Sequence, residues 1–215
     1  MEVAVAHRYR AVVDEIAGLA WASLSRTELI RVAWAYYFFS VQFRESLEHA
    51  CDLHPWDHSL QGLREGECDT DNLSPFPGIA EPAERMNHDE FMRRILVISG
   101  QSQSERVVLD QIGQNYLSFT RSLPDSVRAM SIASYEDGGL EAVFTAILRA
   151  QDWVHPSLAA FRHFLVEHIR FDSDTEVGHG ALCRHLEPDD RILPLWTAFR
   201  DLLTAAVPTL RTEKP

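Results

Sequence analysis

The segment from Ser25 to Leu53 limits what this chain can become. Ser25-Arg-Thr-Glu28 is a capping-box pattern, in which the serine hydroxyl accepts a backbone N–H at the helix start and the glutamate reaches back to the cap residue. Behind it Trp34, Tyr36, Tyr37, Phe38, Phe39, Val41 and Phe43 follow with hardly a polar break, and the helix must end before Pro55. A helix that is apolar almost all round is a buried one, so other helices have to surround it. Gln42, Glu45, Glu48 and His49 fall on this segment, the last three near one stripe. A carboxylate on such a surface needs a counter-charge or a metal. For Glu48 and His49 the simpler expectation is that this end of the helix emerges into solvent.

Helical periodicity continues through the rest of the chain. Val5, Val12, Ile16, Leu19 and Ala20 predict an amphipathic first helix over Val3 to Ala22. A short helix is expected from Asp57 to Glu65, ending at Gly66. Glu67 to Gly78, rich in Pro, Gly, Asp and Ser, reads as a long loop able to cover a pocket. Pro82 can open the next helix, with Asn87-His88 inside it or capping a fresh turn before Met92. Further helices are expected over Ser104 to Leu123, Asp125 to Tyr135, Leu140 to Trp153, from Pro156 through His168, and from Leu193 to Val207. Glu136 sits at the break made by Gly138-Gly139. No strand-like alternation of useful length occurs, so the expected fold class is all-α, in one domain spanning residues 1–215.

Composition excludes several functions. A net charge of −12, with no basic run, argues against binding nucleic acid or an anionic membrane through phosphate contacts. Cys51, Cys68 and Cys183 are far apart and make no Cys-x-x-Cys pair, so neither a disulfide framework nor a thiolate zinc site is expected, and a reducing cytoplasm fits. Glu2, His7, Arg8, Arg10 and Asp14 give the first turns too much charge for a signal peptide or membrane anchor.

The densest chemistry lies in His168-Ile-Arg-Phe-Asp172-Ser-Asp174-Thr-Glu176-Val-Gly178-His179. His168 and Asp172 are one helical turn apart, so an imidazole nitrogen and a carboxylate oxygen can converge on one metal ion. The plain alternative is an acidic helix end with a histidine at its edge. Glu45, Glu65 or Glu67, His88 and Glu136 stand on other helices or at their ends. Mixed histidine and carboxylate ligation without thiolate suits iron or manganese, and two metals need about six inward-facing side chains from several helices.

These residues resemble the heme-oxygenase-like diiron oxidases and oxygenases. The resemblance rests on Tyr135-Glu136, on Glu167-His168-Ile-Arg-Phe-Asp172 followed by His179, and on Asn87-His88 preceded by a glutamate. Glu67 is chosen for that glutamate over Glu65 and Glu81, and Glu45 matches an additional glutamate of some members. The resemblance implies a thiaminase-type bundle of about seven helices and a metal set of Glu45, Glu67, His88, Glu136, His168, Asp172 and His179. It departs from the family at His179, which lies seven residues after Asp172 where three or four is usual. On a regular helix the eleven residues from His168 to His179 would rise about 16 Å, so the helix must loosen over Ser173 to Gly178 for His179 to join; otherwise Glu176 or water takes its place.

The resemblance further implies two iron ions that activate O2 as co-substrate, an external electron donor and a small-molecule substrate. A free amino acid of a natural-product pathway is expected, oxidised by desaturation, C–N ring closure or nitrile formation. N-oxygenation or fatty-acid oxidation on the same fold is the nearest alternative. Tyr37, Phe38 and Val41 would line the pocket, with Arg44 or Arg170 taking the substrate carboxylate. A metal-free thiaminase-like enzyme would need an activated cysteine, and a helical interaction protein would leave the acidic clusters solvated. Neither nucleic acid nor membrane is expected as a partner; a homodimer is a form such bundles often take.

Overall fold

In the computed structural model, which describes residues 7–67, 75–172, 182–183 and 185–211 and their side chains except those of Asp137 and Asp172, the Ser25 capping box is formed. Ser25 Oγ accepts the Glu28 N–H, and the Ser25 N–H donates to Glu28 Oε2 at 2.8 Å. The box opens α2, Arg26–Leu53, preceded by α1, Arg8–Ala17. There follow α3 (His58–Gly66), α4 (His88–Val97), α5 (Gln103–Arg121) and α6 (Asp125–Ser134). A π-helical turn, Tyr135–Gly139, runs straight into α7 (Leu140–Ile147), and α8 (Pro156–Asp172) and α9 (Leu193–Ala206) come last. Among the described residues there is no strand, only an isolated Phe76–Ala80 bridge around Gly78 at φ +78°. The all-α expectation holds. No helix among them is long and apolar enough to cross a membrane.

The apolar circumference of α2 determines the arrangement. α3, α4, α5, α6, α8 and α9 all pack against it, while α1 lies on α7 and α9, and α8 on α4 and α7. Buried apolar residues form one contiguous core reaching from Tyr9 to Leu210. Two aromatic groups anchor it. Tyr36 meets Phe144 and Phe164, each with ring centroids 5.5 Å away, and Phe39 stacks on Phe199 at 4.2 Å.

Two helices are shorter than their periodicity predicts. α1 stops at Ala17 because Gly18, a poor helix former, takes the cap, and Trp21–Ser23 continues as a 3-10 turn. α7 stops at Ile147, several residues before Trp153. The ambiguity at Asn87-His88 resolves as a fresh helix start, with Asn87 at the N-cap and His88 the first residue of α4. Residues 68–74 of the expected pocket-covering loop lie outside the described residues.

α5 meets α2 closely at Gly113. A Cβ on Gly113 would stand 2.1 Å from Cδ2 of the buried Phe38 ring, so the missing side chain is what lets the ring sit there. Gly113→Ala should therefore destabilise the protein by about 2 kcal/mol through overpacking, in excess of the gain in helix propensity. Chemical denaturation measures this, and a variant as stable as wild type would show that Phe38 can move aside freely.

Candidate metal centre

Glu67, His88, Glu136 and His168, four of the expected ligands, line one cavity of about 190 Å³. Each comes from a different helical segment. Glu67 is the C-cap of α3, its N–H bonded to the Leu63 carbonyl at 2.8 Å, and His88 opens α4, so a helix end and a helix start meet. Glu136 stands on the π turn and His168 on α8. All four are buried, between 7% and 8% exposed, which for two carboxylates and two imidazoles requires partners or a bound cation. Glu65 and Glu81, the other candidates for the glutamate before His88, are exposed.

The three closest groups share one atom. His88 Nδ1 lies 2.7 Å from Glu67 Oε2 and 3.1 Å from His168 Nε2. His168 Nδ1 is 2.9 Å from the Phe164 carbonyl, one turn back on α8. A carbonyl can only accept, so Nδ1 carries the proton and, in the neutral ring, Nε2 keeps its lone pair turned toward His88. This is the backbone-fixed tautomer that metal-binding histidines commonly use. His88 Nε2 is buried and makes no hydrogen bond with any described residue. Phe164 and Phe144 flank the His168 ring, with centroids 4.1 and 5.6 Å away.

The π turn presents Glu136. Tyr135 beside it is fully buried, and its hydroxyl donates to Gln42 Oε1 at 3.3 Å; Tyr116 donates to the same oxygen at 3.0 Å. Gln42 Nε2 in turn donates to Ser46 Oγ at 2.6 Å. Burial pushes both phenols' pKa values up, so they remain neutral donors. At the other end of the turn a Cβ on Gly139 would lie 2.3 Å from the Ser134 carbonyl and 2.7 Å from Trp196, so this position needs glycine for close approach. π turns inside α-helices occur often at functional sites.

The remaining expectations divide. Arg44 does line the cavity, but its guanidinium bonds Asp89 at 3.1 Å and Glu48 at 2.8 Å. Burial opposes its charge, and these two carboxylates outweigh burial and hold its pKa above the ordinary value. Tyr37, Phe38 and Val41 are not on the cavity wall: the lining face of α2 is Tyr36, Phe39, Ser40, Phe43 and Leu47. That face is rotated from the expected one, and Phe38 points at Gly113 instead. Arg170 is exposed, 3.4 Å from Glu167. The Asp172 side chain and all of His179, Asp174 and Glu176 lie outside what is described, as does the expected loosening between Ser173 and Gly178.

Glu45 is drawn elsewhere. It accepts from Arg121 at 2.6 Å and from Arg128, itself 4% exposed, at 3.1 Å, and it does not line the cavity. Two guanidinium groups stand where a metal would, and they satisfy this half-buried carboxylate.

Among the described residues no group of three or more His, Cys, Asp or Glu is arranged to hold a metal ion as it stands. The donors nevertheless suit divalent iron in kind, with two imidazoles, two carboxylates and no thiolate. The orphaned His88 nitrogen is a buried polar atom that a bound ion or polar ligand would satisfy. Sequence reasoning missed Arg64 and Leu140 on the cavity wall, while Asn87, named there beside His88, does line it. For Arg64 a signal existed, since it precedes Glu67 by three residues and so shares its side of α3. No family model matches the chain, and it shows no significant similarity to a curated protein or a solved structure.

Burial pushes the Glu45 carboxyl up, but Arg121 and Arg128 outweigh it and hold the pKa below the ordinary value. The ion pair therefore stabilises the fold above the usual carboxylate range, and that contribution is lost as pH falls through the lowered value. Glu45→Gln should lower stability near neutral pH by about 2 kcal/mol, leaving Arg128 buried with less compensation. Unfolding in urea near neutrality and again at about pH 3 should show the difference from wild type shrinking in acid; an equal or larger gap in acid would contradict the assignment.

Proposed function

We propose that this protein is a non-heme diiron enzyme of the heme-oxygenase-like kind, which uses O2 and an external electron donor to oxidise unactivated C–H bonds of a small free amino acid. Desaturation, C–N ring closure or nitrile formation in a cytoplasmic natural-product pathway are the outcomes this reading covers. The observation that carries it is the meeting of Glu67, His88, Glu136 and His168 at one cavity from separate helical segments. Scattered acidic and histidine residues on solvated faces would have no reason to converge there.

Glu67, His88, Glu136 and His168 would hold the iron, together with Asp172 and His179, which the sequence resemblance also gives; Glu45, the remaining member of that set, stays with its arginines. Two iron ions, when bound, supply the O2-activating chemistry. The chain's own contributions are to position and to exclude water. The Phe164 carbonyl fixes the His168 proton on Nδ1. Phe39, Phe43, Leu47 and Leu140 give the cavity an apolar wall against which a substrate's carbon skeleton can lie. Arg44, clamped by Asp89 and Glu48, closes part of the polar side.

Neither of the two described cysteines supports the metal-free thiaminase-like alternative, and Cys68 lies outside the described residues. Cys51 is buried with its thiol pKa pushed up by burial, the reverse of activation, and Cys183 is buried too. Neither lines the cavity.

Anaerobic Fe(II) titration followed by O2 tests the reading. Wild-type protein should take up two irons and give a transient visible absorption, with substrate present if substrate triggers the reaction. His168→Ala should weaken iron binding by at least the ~10–100-fold that loss of an outer-shell partner costs, whereas Glu45→Gln should leave iron stoichiometry unchanged. No uptake by wild type, or uptake unaffected in a His168→Ala, Asp172→Ala double variant, refutes the proposal.

A further inference from the structure

Two arginines line the cavity, and they differ in how their charge is spent. Arg44 is neutralised twice, by Asp89 at 3.1 Å and Glu48 at 2.8 Å. Arg64, in the last turn of α3, is exposed and forms no ion pair or hydrogen bond with any described residue. It precedes Glu67 by three residues, so the helix sets it on the same side as the carboxylate that contacts His88. A cation in the last turn of a helix is favoured by the helix dipole at any azimuth. What the dipole leaves unexplained is its place on the wall of a cavity that Phe39, Phe43 and Leu140 also line.

We propose that Arg64 is the anion anchor at the mouth of this cavity, binding the carboxylate of a small ligand whose apolar part lies against Phe39, Phe43 and Leu140. The anchor assigns to Arg64 the role expected of Arg44 or Arg170, and it rests on the reading of the cavity as a substrate site. Guanidinium suits the task because its planar fork can pair both carboxylate oxygens at once, and because its charge persists at every physiological pH. Arg44 cannot serve equally well, since a ligand carboxylate would have to displace Asp89 or Glu48. Arg170 is 78% exposed on α8, does not line the cavity and contacts Glu167. Binding is then selective for monoanions over their neutral isosteres, with the charged end held outward and the carbon chain inward.

Titration calorimetry with hexanoate and with hexanamide, on the protein as purified and again after anaerobic Fe(II) addition, tests this. In at least one preparation wild type should bind hexanoate and discriminate against the amide. Arg64→Gln should weaken hexanoate on the order of tenfold or more and leave the amide unchanged, as expected for loss of a charge-assisted pair. Arg64→Lys should recover part of the affinity, since it keeps the charge and loses the fork. Arg64 is exposed, so circular dichroism should report an unaltered fold for both variants. Acid and amide bound alike, no hexanoate binding in either preparation, or an affinity unmoved by Arg64→Gln would overturn the anchor. Normal iron uptake alongside any of these results would sink the anchor and spare the diiron reading; selective, Arg64-dependent binding without iron uptake would do the reverse.

Discussion

A helix buried along most of its length has little wet face on which to leave polar groups, so most of those in its buried part must be answered by other protein groups. On α2 that demand reaches in several directions. Gln42 is answered by the hydroxyls of Tyr116 on α5 and Tyr135 at the π turn, and by Ser46 on its own helix. Glu45 is answered by Arg121 and Arg128, and Arg44 by Asp89 at the start of α4. Satisfying these groups fixes how α4, α5 and α6 are rotated about α2 and not merely how close they come. An apolar contact tolerates sliding; a buried amide shared by two phenols does not.

The cavity inherits its geometry from those constraints. Tyr135 is tied to Gln42 and packed edge-on to Phe39, with ring centroids 5.1 Å apart, so the next residue, Glu136, has little choice of direction. His88 begins the same helix whose Asp89 is bonded to Arg44. Consecutive residues thus divide the work, one held by α2 and the other left to face Glu67 and His168. The chemistry of the pocket and the packing of the bundle are two uses of the same short stretches of chain.

Much of this was readable in the sequence, and the failures have identifiable causes. Caps and breakers carry local information, so the helices expected from Ser25, Asp57, Ser104 and Asp125 begin in the structure within a residue of those positions. His88, Glu136 and His168 could be singled out as ionisable residues at the starts, breaks and ends of apolar helices, whereas Glu67 is separated from Glu65 and Glu81 only by the pattern of the resemblance. The azimuth of α2 could not be read, since a helix apolar on every side offers no moment from which to tell Tyr36, Phe39 and Phe43 from Tyr37, Phe38 and Val41. Glu45 was misjudged for another reason. Its partners lie 76 and 83 residues away, and nothing in its own segment distinguishes a carboxylate awaiting two arginines from one awaiting a metal.

The π turn between α6 and α7 also works as a phase shifter. An α-helix advances about 100° per residue, so one residue more or fewer in Tyr135–Gly139 would rotate all of α7 by roughly that angle relative to α6. Val143, Phe144 and Ile147 are fully buried only in the present register. The irregular turn that aims Glu136 is therefore locked from downstream. The chain could not straighten it into ordinary helix without turning the core side of α7 toward water, so a local oddity at the pocket is held in place by apolar burial downstream, and Phe144 takes part in both by flanking the His168 ring.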